Sequence, residues 1–539
     1  MKIAKLEIKN FRSIKHLVLE PTSLCALVGP NNVGKTNILK AIDLVLGEGW
    51  TTKAKIAREL FNDINHKIEI KVDFDEPIEW HYYLNLVSVN CVTLTMTYDP
   101  LDCKVRLWED YPNDKSGEGY YLNEDFKKDC HFIYIPAGRN LTGEMRISDW
   151  TLLGKLMRLV YENYVKHYSG DEDKLKEDLK EKIKPAKDFL ESDFDPDSIT
   201  FKKFVDTFKK YCEINSAGLA NEFIPKLNIY NLNWFYKTLQ IHIKEDFPEK
   251  DFDAEEVGAG MQNLLLISIF QTYAELMGGK VIFGIEEPEN FLYPNAQRSL
   301  YQSFQELSRN SQIFYTTHNP NFIDAHRAYE IEILQKTKDK GTINLQKDKQ
   351  YLTEETAEKE KFRIYTQFNT ERNELFFARK VILVEGDADK ILWTTFCENR
   401  WKLDLDKDGV TIIECGGKGG VNYFIGVCKL VGIQDYFAIW DQDNEEEYNP
   451  RKDWLGETKD DDDKGIEISG NLEKFLRLPE GNNAQKVKNA YRWVLDEKNE
   501  IPKLFLKVKK FLTEKHEPKI SAESEISENN NINFEDIPF

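Results

Sequence analysis

The run Gly29-Pro30-Asn31-Asn32-Val33-Gly34-Lys35-Thr36 has the spacing of a phosphate-binding loop. Its glycines permit a tight backbone whose N–H groups face an anion at a helix start. Lys35 would reach the β and γ phosphates of ATP, and the Thr36 hydroxyl would ligate Mg²⁺. Asn31, Asn32, Gly34 and Asn37 belong to the same expected nucleotide site. Far downstream, the apolar run Val281 to Ile285 ends in Glu286-Glu287-Pro288-Glu289. A strand delivers such carboxylates to the crevice where α/β sheets bind ligands. One carboxylate can hold the Mg²⁺ shell, a role assigned to Glu286. The next can orient the attacking water, a catalytic role assigned to Glu287. Ile313 to Thr317 ends at His318, placed to sense the γ-phosphate. Gly258-Ala259-Gly260 opens an apolar helix, which is another anion-binding device. It lies too far along the chain to duplicate the first loop, so Gly258 and Gly260 are expected to face the nucleotide of a second subunit.

A second set of acids is independent of the first. Arg379 to Val384 reads as a strand and is followed by Glu385-Gly386-Asp387-Ala388-Asp389. Tyr436 to Trp440 reads as another, followed by Asp441-Gln442-Asp443. Two parallel strands that both end in acids place those acids along one sheet edge. Asp441 and Asp443 share a side if the strand continues, because alternate residues share a face. Clustered carboxylates repel one another unless cations compensate, which points to one or two divalent metals and phosphodiester chemistry. Between the strands, Cys415-Gly416-Gly417-Lys418-Gly419-Gly420 offers close backbone approach and a cation for a phosphate.

The elements that must hold these residues alternate between β and α. Ile3, Leu6, Ile8 and Phe11 mark a first strand, Leu24 to Val28 a buried one, and Asn37 to Leu46 a helix. Ile68 to Phe74, Cys91 to Tyr98 and Lys104 to Trp108 continue as strands. Residues 149–226 change to long charged helices, such as Asp173 to Phe189 and Lys202 to Tyr211, the texture of an insertion that serves as a dimer contact or a helical cap. Tyr351 to Arg372 reads as a linker. The expected layout is a nucleotide domain over 1–365, a second α/β domain over 373–515 and an acidic tail over 516–539.

Composition bounds the chemistry. The chain has 539 residues, enough for more than one domain core. Hydrophobic residues at 41% and charged residues at 31% fit a folded protein. No apolar run reaches bilayer length, and the alternating N-terminus carries no signal-peptide pattern. Eight scattered Cys without a Cys-x-x-Cys pair read as reduced packing residues, so a cytoplasmic location without membrane contact is expected. The net charge of −20 argues against a nonspecific nucleic-acid coat and confines any DNA contact to a groove.

The first set of motifs, together with the opening Ile8-Lys9-Asn10-Phe11-Arg12-Ser13-Ile14, resembles the ATP-binding-cassette (ABC) ATPases of the recombination and SMC type. That family places a serine where this chain has Ala259, which bears on ATP turnover more than on ATP binding. Glu286 stands where Asp is more usual. The second set resembles the Toprim domain of topoisomerases, DnaG-type primases and certain nucleases. By that resemblance Glu385 handles metal or protons, while Asp389, Asp441 and Asp443 are metal ligands. Gly470-Asn471-Leu472-Glu473 resembles a later acidic motif, which adds Glu473 to the catalytic and metal-binding set. Lys486 is a candidate for a late catalytic lysine, although Val487 replaces the proline that usually follows and solvated surface is the favoured reading. The fold implied is α/β, an ABC-type ATPase domain with a helical insertion followed by a Rossmann-like Toprim domain.

The two blocks in this order resemble the OLD (overcoming lysogenization defect) family of nucleases. The resemblance implies a nucleotide-regulated DNA endonuclease of phage defence that uses ATP and Mg²⁺ or Mn²⁺. The helix start at Gly258, closing over the ATP of a second subunit, implies a homodimer or larger homo-oligomer, and relatives of the family act alone, with a helicase-like partner or beside a retron reverse transcriptase. The alternative is an ATP-switched DNA clamp of recombination type whose Toprim block grips without cutting. A topoisomerase would need a nucleophilic tyrosine on a separate DNA-gate domain, and primases do not usually carry this ATPase.

Overall fold

The computed structural model describes residues 1–47, 56–82, 85–99, 104–109, 130–137, 151–167, 198–216, 222–227, 239–245, 250–254, 256–278, 281–345, 371–442, 464–479 and 481–514, with a few isolated positions besides. The chain divides into two compact units, Met1–Phe377 and Ala378–Phe539. The second unit starts beyond the expected residue 373 for a local reason. The Asn373 amide donates to the carbonyls of Pro320 (3.0 Å) and Ile323 (2.8 Å), tying that segment to the first unit.

Strand β1 (Ile3–Phe11) buries Ile3, Leu6, Ile8 and Phe11 and leaves Ala4, Lys5, Glu7 and Lys9 wholly or partly exposed, close to the period-2 pattern of a strand with one face on a core. It is followed by β2 (Ile14–Leu19) and β3 (Leu24–Val28), whose five residues are all buried. Helix α1 (Lys35–Leu46) packs Ile38, Leu39, Ile42 and Val45 into that core. Next come β4 (Ile68–Tyr82), β5 (Asn85–Thr97), β6 (Lys104–Glu109) and β7 (Phe132–Ile135). Helices α2 (Leu152–His167) and α3 (Phe201–Ser216) lie in the expected insertion, while Asp173 to Phe189 falls outside the described residues.

The end of the insertion is not helical. Strand β8 (Glu222–Leu227) pairs antiparallel with β9 (Leu239–Glu245), which pairs with β10 (Lys250–Asp253), and Phe223, Ile241 and Ile243 are buried. Pro225 interrupts any helix there. Then follow α4 (Ala259–Leu276), β11 (Ile282–Glu286), α5 (Pro294–Leu307), β12 (Gln312–Thr316), β13 (Ile331–Thr337) and β14 (Gly341–Asn344).

Eleven of these strands form one sheet among the described residues, in the order β6-β5-β4-β1-β2-β14-β13-β3-β12-β11-β7. From β13 to β7 it is parallel, and from β6 to β14 it is an antiparallel wing. The all-buried strands β3, β11 and β12 sit in the parallel part, as expected where both sheet faces are covered. Neighbouring parallel strands end together, so the loops after β3, β11 and β12 lie side by side.

The second unit is a smaller α/β layer. Strands β15 (Lys380–Val384), β16 (Val410–Glu414), β17 (Tyr436–Asp441) and β18 (Gly465–Ile468) are all parallel, in the order β16-β15-β17-β18. Helix α6 (Asp387–Asn399) follows β15, and α7 (Leu405–Asp408) precedes β16. Helix α8 (Lys418–Leu430) follows β16. Helices α9 (Leu472–Phe475), α10 (Asn483–Leu495) and α11 (Phe505–Thr513) complete the unit. The ring centroids of Trp393 and Phe505 are 4.4 Å apart, and those of Phe396 and Trp401 4.8 Å. Such aromatic pairs contribute about 0.5–1.5 kcal/mol each beyond their buried area, so this cluster is a main anchor for α6 and α11.

Among the described residues no helix is long and apolar enough to cross a membrane. The described cysteines, Cys25, Cys91, Cys130, Cys212, Cys397, Cys415 and Cys428, are buried and unbridged, consistent with packing roles.

Candidate functional sites

In the first unit the phosphate loop joins β3 to α1. Gly29 has φ +147° and Gly34 has φ +110°. A Cβ on Gly29 would strike the Leu334 carbonyl, and one on Gly34 would strike the Thr342 and Ser13 hydroxyls, so both positions need glycine for shape as well as for φ. The loop is braced from outside its own motif. Thr342 Oγ1 donates to the Val33 carbonyl (2.6 Å), Ser13 Oγ lies 2.8 Å from Thr342 Oγ1, and Asn37 Nδ2 donates to Ser13 Oγ (2.8 Å). Asn31 and Asn32 are exposed on the loop crest, and Thr36 is half-buried in the first turn of α1.

Lys35 is buried and donates to the carbonyls of Gly29 (2.8 Å) and Pro30 (3.0 Å). Burial pulls its ammonium down to about 8, and Glu287 and Glu289 oppose that shift. A phosphate in the loop would restore the charge balance that burial removes. The loop is therefore a cradle for an anion.

The three acids after β11 have different surroundings. Glu286 ends the strand and is buried. Tyr134 Oη donates to its Oε1 (2.9 Å) and Ala137 N to its Oε2 (3.0 Å). Glu287 has φ +42°, its N–H donates to the Thr316 carbonyl (3.0 Å), and Asn290 Nδ2 donates to its Oε2 (3.0 Å). Glu289 turns toward the end of β12, where Thr317 and His318 lie. His318 is held below its ordinary range by burial and then by Lys35, with Glu287 opposing, so its ring is uncharged at neutral pH. The structure thus gathers Lys35, Glu287 and His318 into one electrostatic neighbourhood.

The glycine-rich start of α4 is capped by Gly258. Gly260 passes so close to the turn after β11 that a Cβ would come within 2.7 Å of the Phe291 carbonyl. Asn263 locks the same approach by donating to the carbonyls of Pro288 (3.0 Å) and Asn290 (3.1 Å). Asn263, Ser13, Thr342 and Glu289 were not foreseen as site residues. Glu289 and Ser13 had a visible signal, in the acidic run and the opening motif that contain them; Asn263 and Thr342 are single polar residues whose partners lie far along the chain.

The second unit assembles the other acids at the ends of adjacent β15 and β17. Glu385 Oε1 accepts the Asp441 backbone N–H (2.7 Å), and the Glu385 carbonyl accepts the Gly417 N–H (2.8 Å). Asp441 Oδ2 accepts the Leu472 N–H (3.2 Å), which draws α9 and Glu473 to the same edge. Glu473 is buried, and its Oε1 lies 2.9 Å from Lys486 Nζ. Lys486 remains partly exposed, and the pair brings it to the acidic edge. The Asn482 capping box starts α10 so that Lys486 sits in its first turns, facing Glu473.

Lys486 is held above its usual range by Glu473, with smaller contributions from Asp441 and Asp389. Asp389, in the first turn of α6, is pushed up to about 7 by loss of solvent, then by Glu385 and, less, by Glu473. Strand β17 ends at Asp441, and Asp443 lies outside the described residues.

Among the described residues, no three His, Cys, Asp or Glu side chains converge closely enough to hold a metal ion. The chemistry of the acid set nevertheless suits a hard cation. Glu385, Asp389, Asp441 and Glu473 offer only oxygen donors, and Asp389 is driven toward its neutral form by loss of solvent and then by the neighbouring Glu385. A nearby divalent cation reverses that penalty.

Comparison with known proteins agrees with this two-site arrangement. The AAA ATPase domain family matches residues 1–128 and 102–323, and the Overcoming lysogenization defect protein-like TOPRIM domain family matches residues 376–443. The chain belongs to the AAA ATPase domain family, whose model covers more than half of it, and carries an OLD-like Toprim domain behind that part. It is an OLD-type nuclease with an ATPase domain ahead of an OLD-like Toprim domain. Similar proteins include the OLD nuclease of Thermus scotoductus, 28% identical over 82% of this chain and 82% of that protein. The Old nuclease of Escherichia phage P2 is 22% identical over 80% of this chain and 76% of its own length. Endonuclease GajA of Bacillus cereus is 23% identical over 80% of this chain and 74% of its own length.

Proposed function

We propose that this OLD-type chain is a divalent-metal-dependent DNA endonuclease whose cutting is governed by ATP and which acts in defence against phage. The observation that carries the reading is the direct bond between Glu385 and the Asp441 backbone at the ends of adjacent parallel strands, with the Glu473–Lys486 pair beside it. Glu385, Asp389, Asp441 and Glu473, with Asp443, would hold Mg²⁺ or Mn²⁺ there. When bound, such ions activate water and stabilise the leaving oxygen of a phosphodiester. Glu385 orients the end of β17 through the Asp441 N–H. Lys486 keeps its proton through Glu473 and offers positive charge to a phosphate group.

In the nucleotide site Lys35 and the loop amides bind ATP, with Thr36 and Glu286 as candidates for its Mg²⁺. Glu287 orients water, and His318 offers an uncharged N–H donor or acceptor to the γ-phosphate. Ala259 leaves the start of α4 without the hydroxyl that its family relatives carry, which suits slow turnover. The same helix start, through Gly258 and Gly260, serves the nucleotide of a second copy, so the working form is a homodimer or larger homo-oligomer. A helicase-like protein or a retron reverse transcriptase is the kind of partner that would bring the trigger.

The test is scission of supercoiled plasmid with Mg²⁺ or Mn²⁺, with and without ATP, by wild type, Glu385→Ala and Lys35→Ala. Loss of cleavage in Glu385→Ala together with an altered ATP response in Lys35→Ala supports the proposal. Cleavage retained in Glu385→Ala would move the activity elsewhere.

A further inference from the structure

The acids after β11 are three, and the nucleotide chemistry described above uses only Glu286 and Glu287. Glu289 is buried like Glu286 and more deeply than Glu287, with 9% of its surface exposed. Its Oε1 accepts the Thr317 hydroxyl (2.7 Å) and the His318 backbone N–H (3.0 Å). The Thr317 hydroxyl accepts the Asn319 N–H (2.9 Å), so its own proton is committed to Glu289. Asn319 is held further along, donating to Gln297 (2.8 Å) and accepting the Asn321 N–H (2.9 Å). The backbone is therefore pinned at His318 itself and on both sides of it. Among the described residues the His318 ring makes no hydrogen bond of its own. Its direction is set by the backbone that Glu289 holds.

The chemistry of Glu289 argues against simple packing. Its second oxygen, Oε2, is buried without a hydrogen-bond partner among the described residues. Burial raises its pKa, and the Thr317 and His318 donors only partly offset the shift. An apolar side chain would fill the same space without that desolvation cost, and half-satisfied buried polar groups concentrate where function requires them.

We propose that Glu289 is a positioning residue for ATP turnover, which couples the acidic turn after β11 to the turn after β12 and so aims His318 at the phosphates. The inference rests on the reading of His318 as the γ-phosphate sensor. It assigns Glu289 no contact with nucleotide.

The test uses the full chain, single-turnover ATP hydrolysis and titration with a fluorescent ATP analogue. Glu289→Ala is expected to slow turnover about tenfold while changing nucleotide affinity by about twofold or less, because orientation is lost and binding is not. Glu289→Gln keeps an acceptor oxygen for both donors and recovers most of the rate. The Glu289→Ala, His318→Ala double variant is expected to be no slower than His318→Ala alone. Normal turnover in Glu289→Ala beside a slow His318→Ala overturns the inference and leaves the sensor reading standing. Normal turnover in His318→Ala removes the sensor reading and the inference with it. Losses that multiply in the double variant also overturn it, since Glu289 would then act independently of His318. Should Glu289→Ala fail to fold, Thr317→Val carries the same cycle. It removes one of the two donors at Oε1, and a partial loss of rate that vanishes in the His318→Ala background is expected.

Discussion

The two sites use the same structural device for opposite charges. In both, parallel strands end in step, a glycine-containing turn follows, and a helix begins. In the first unit that place is filled with Lys35 and a loop of backbone N–H groups, with Glu287 and Glu289 opposing the lysine's loss of charge. In the second it is filled with Glu385, Asp389 and Asp441, and the ammonium of Lys486 reaches the cluster from α10 to pair with Glu473. The first set of side chains suits an anion and the second a cation. The difference teaches that the sheet edge supplies position alone, and the side chains at the strand ends choose the ligand.

If that contrast is right, the largest effect comes from dismantling the cation site. Glu385→Ala is expected to lower plasmid cleavage by about a thousandfold or more, and chelation of divalent ions should abolish it. Gel quantification of nicked and linear product reads both, with circular dichroism confirming that the variant folds. Cleavage surviving in the Asp441→Ala, Asp443→Ala double variant would break the comparison at its second half. Next, Lys35→Ala removes the charge at the centre of the anion site. Its ATP affinity, measured by calorimetry, is expected to fall about a hundredfold, close to 3 kcal/mol, and unchanged affinity would remove Lys35 from the site.

A smaller effect sharpens the role of the lysine that crosses the pattern. Lys486→Met is expected to reduce cleavage about tenfold and to be worth less in a Glu473→Gln background, because the two side chains form one pair. Equal losses in both backgrounds would separate Lys486 from Glu473, and no loss in either would leave Lys486 as solvated surface. The smallest change is Ala259→Ser at the start of α4, expected to raise ATP turnover by a factor of about two to five without altering cleavage chemistry. A phosphate-release assay decides this, and a turnover rate identical to wild type would separate Ala259 from the nucleotide step.

Much of this arrangement is written in short stretches of the chain. Gly29 to Thr36 specify their own turn, because glycine spacing and the flanking apolar strand and helix are local properties. The apolar strands ending in Glu286 and Glu385 are local too, since burial on both faces demands continuous hydrophobic runs. The strand over 222–227 was hidden by its charged neighbours, and the pairing that stabilises it comes from β9. The partner of Lys486 is hidden for the same reason: a lysine in a polar helix carries no sign of the carboxylate that the fold sets 2.9 Å from it.

The sequence by itself determined the two chemistries, a phosphate loop with its carboxylates and an acidic strand-end cluster, because each depends on residue types at fixed short spacing. Only the tertiary structure decided which distant groups serve them. Ser13 and Thr342 brace the loop, Glu289 reaches His318, Asn263 ties α4 to the acidic turn, and Glu473 meets Lys486. Those contacts arise where strands far apart in the chain end side by side, and strand order in a sheet is set by the packing of the whole domain.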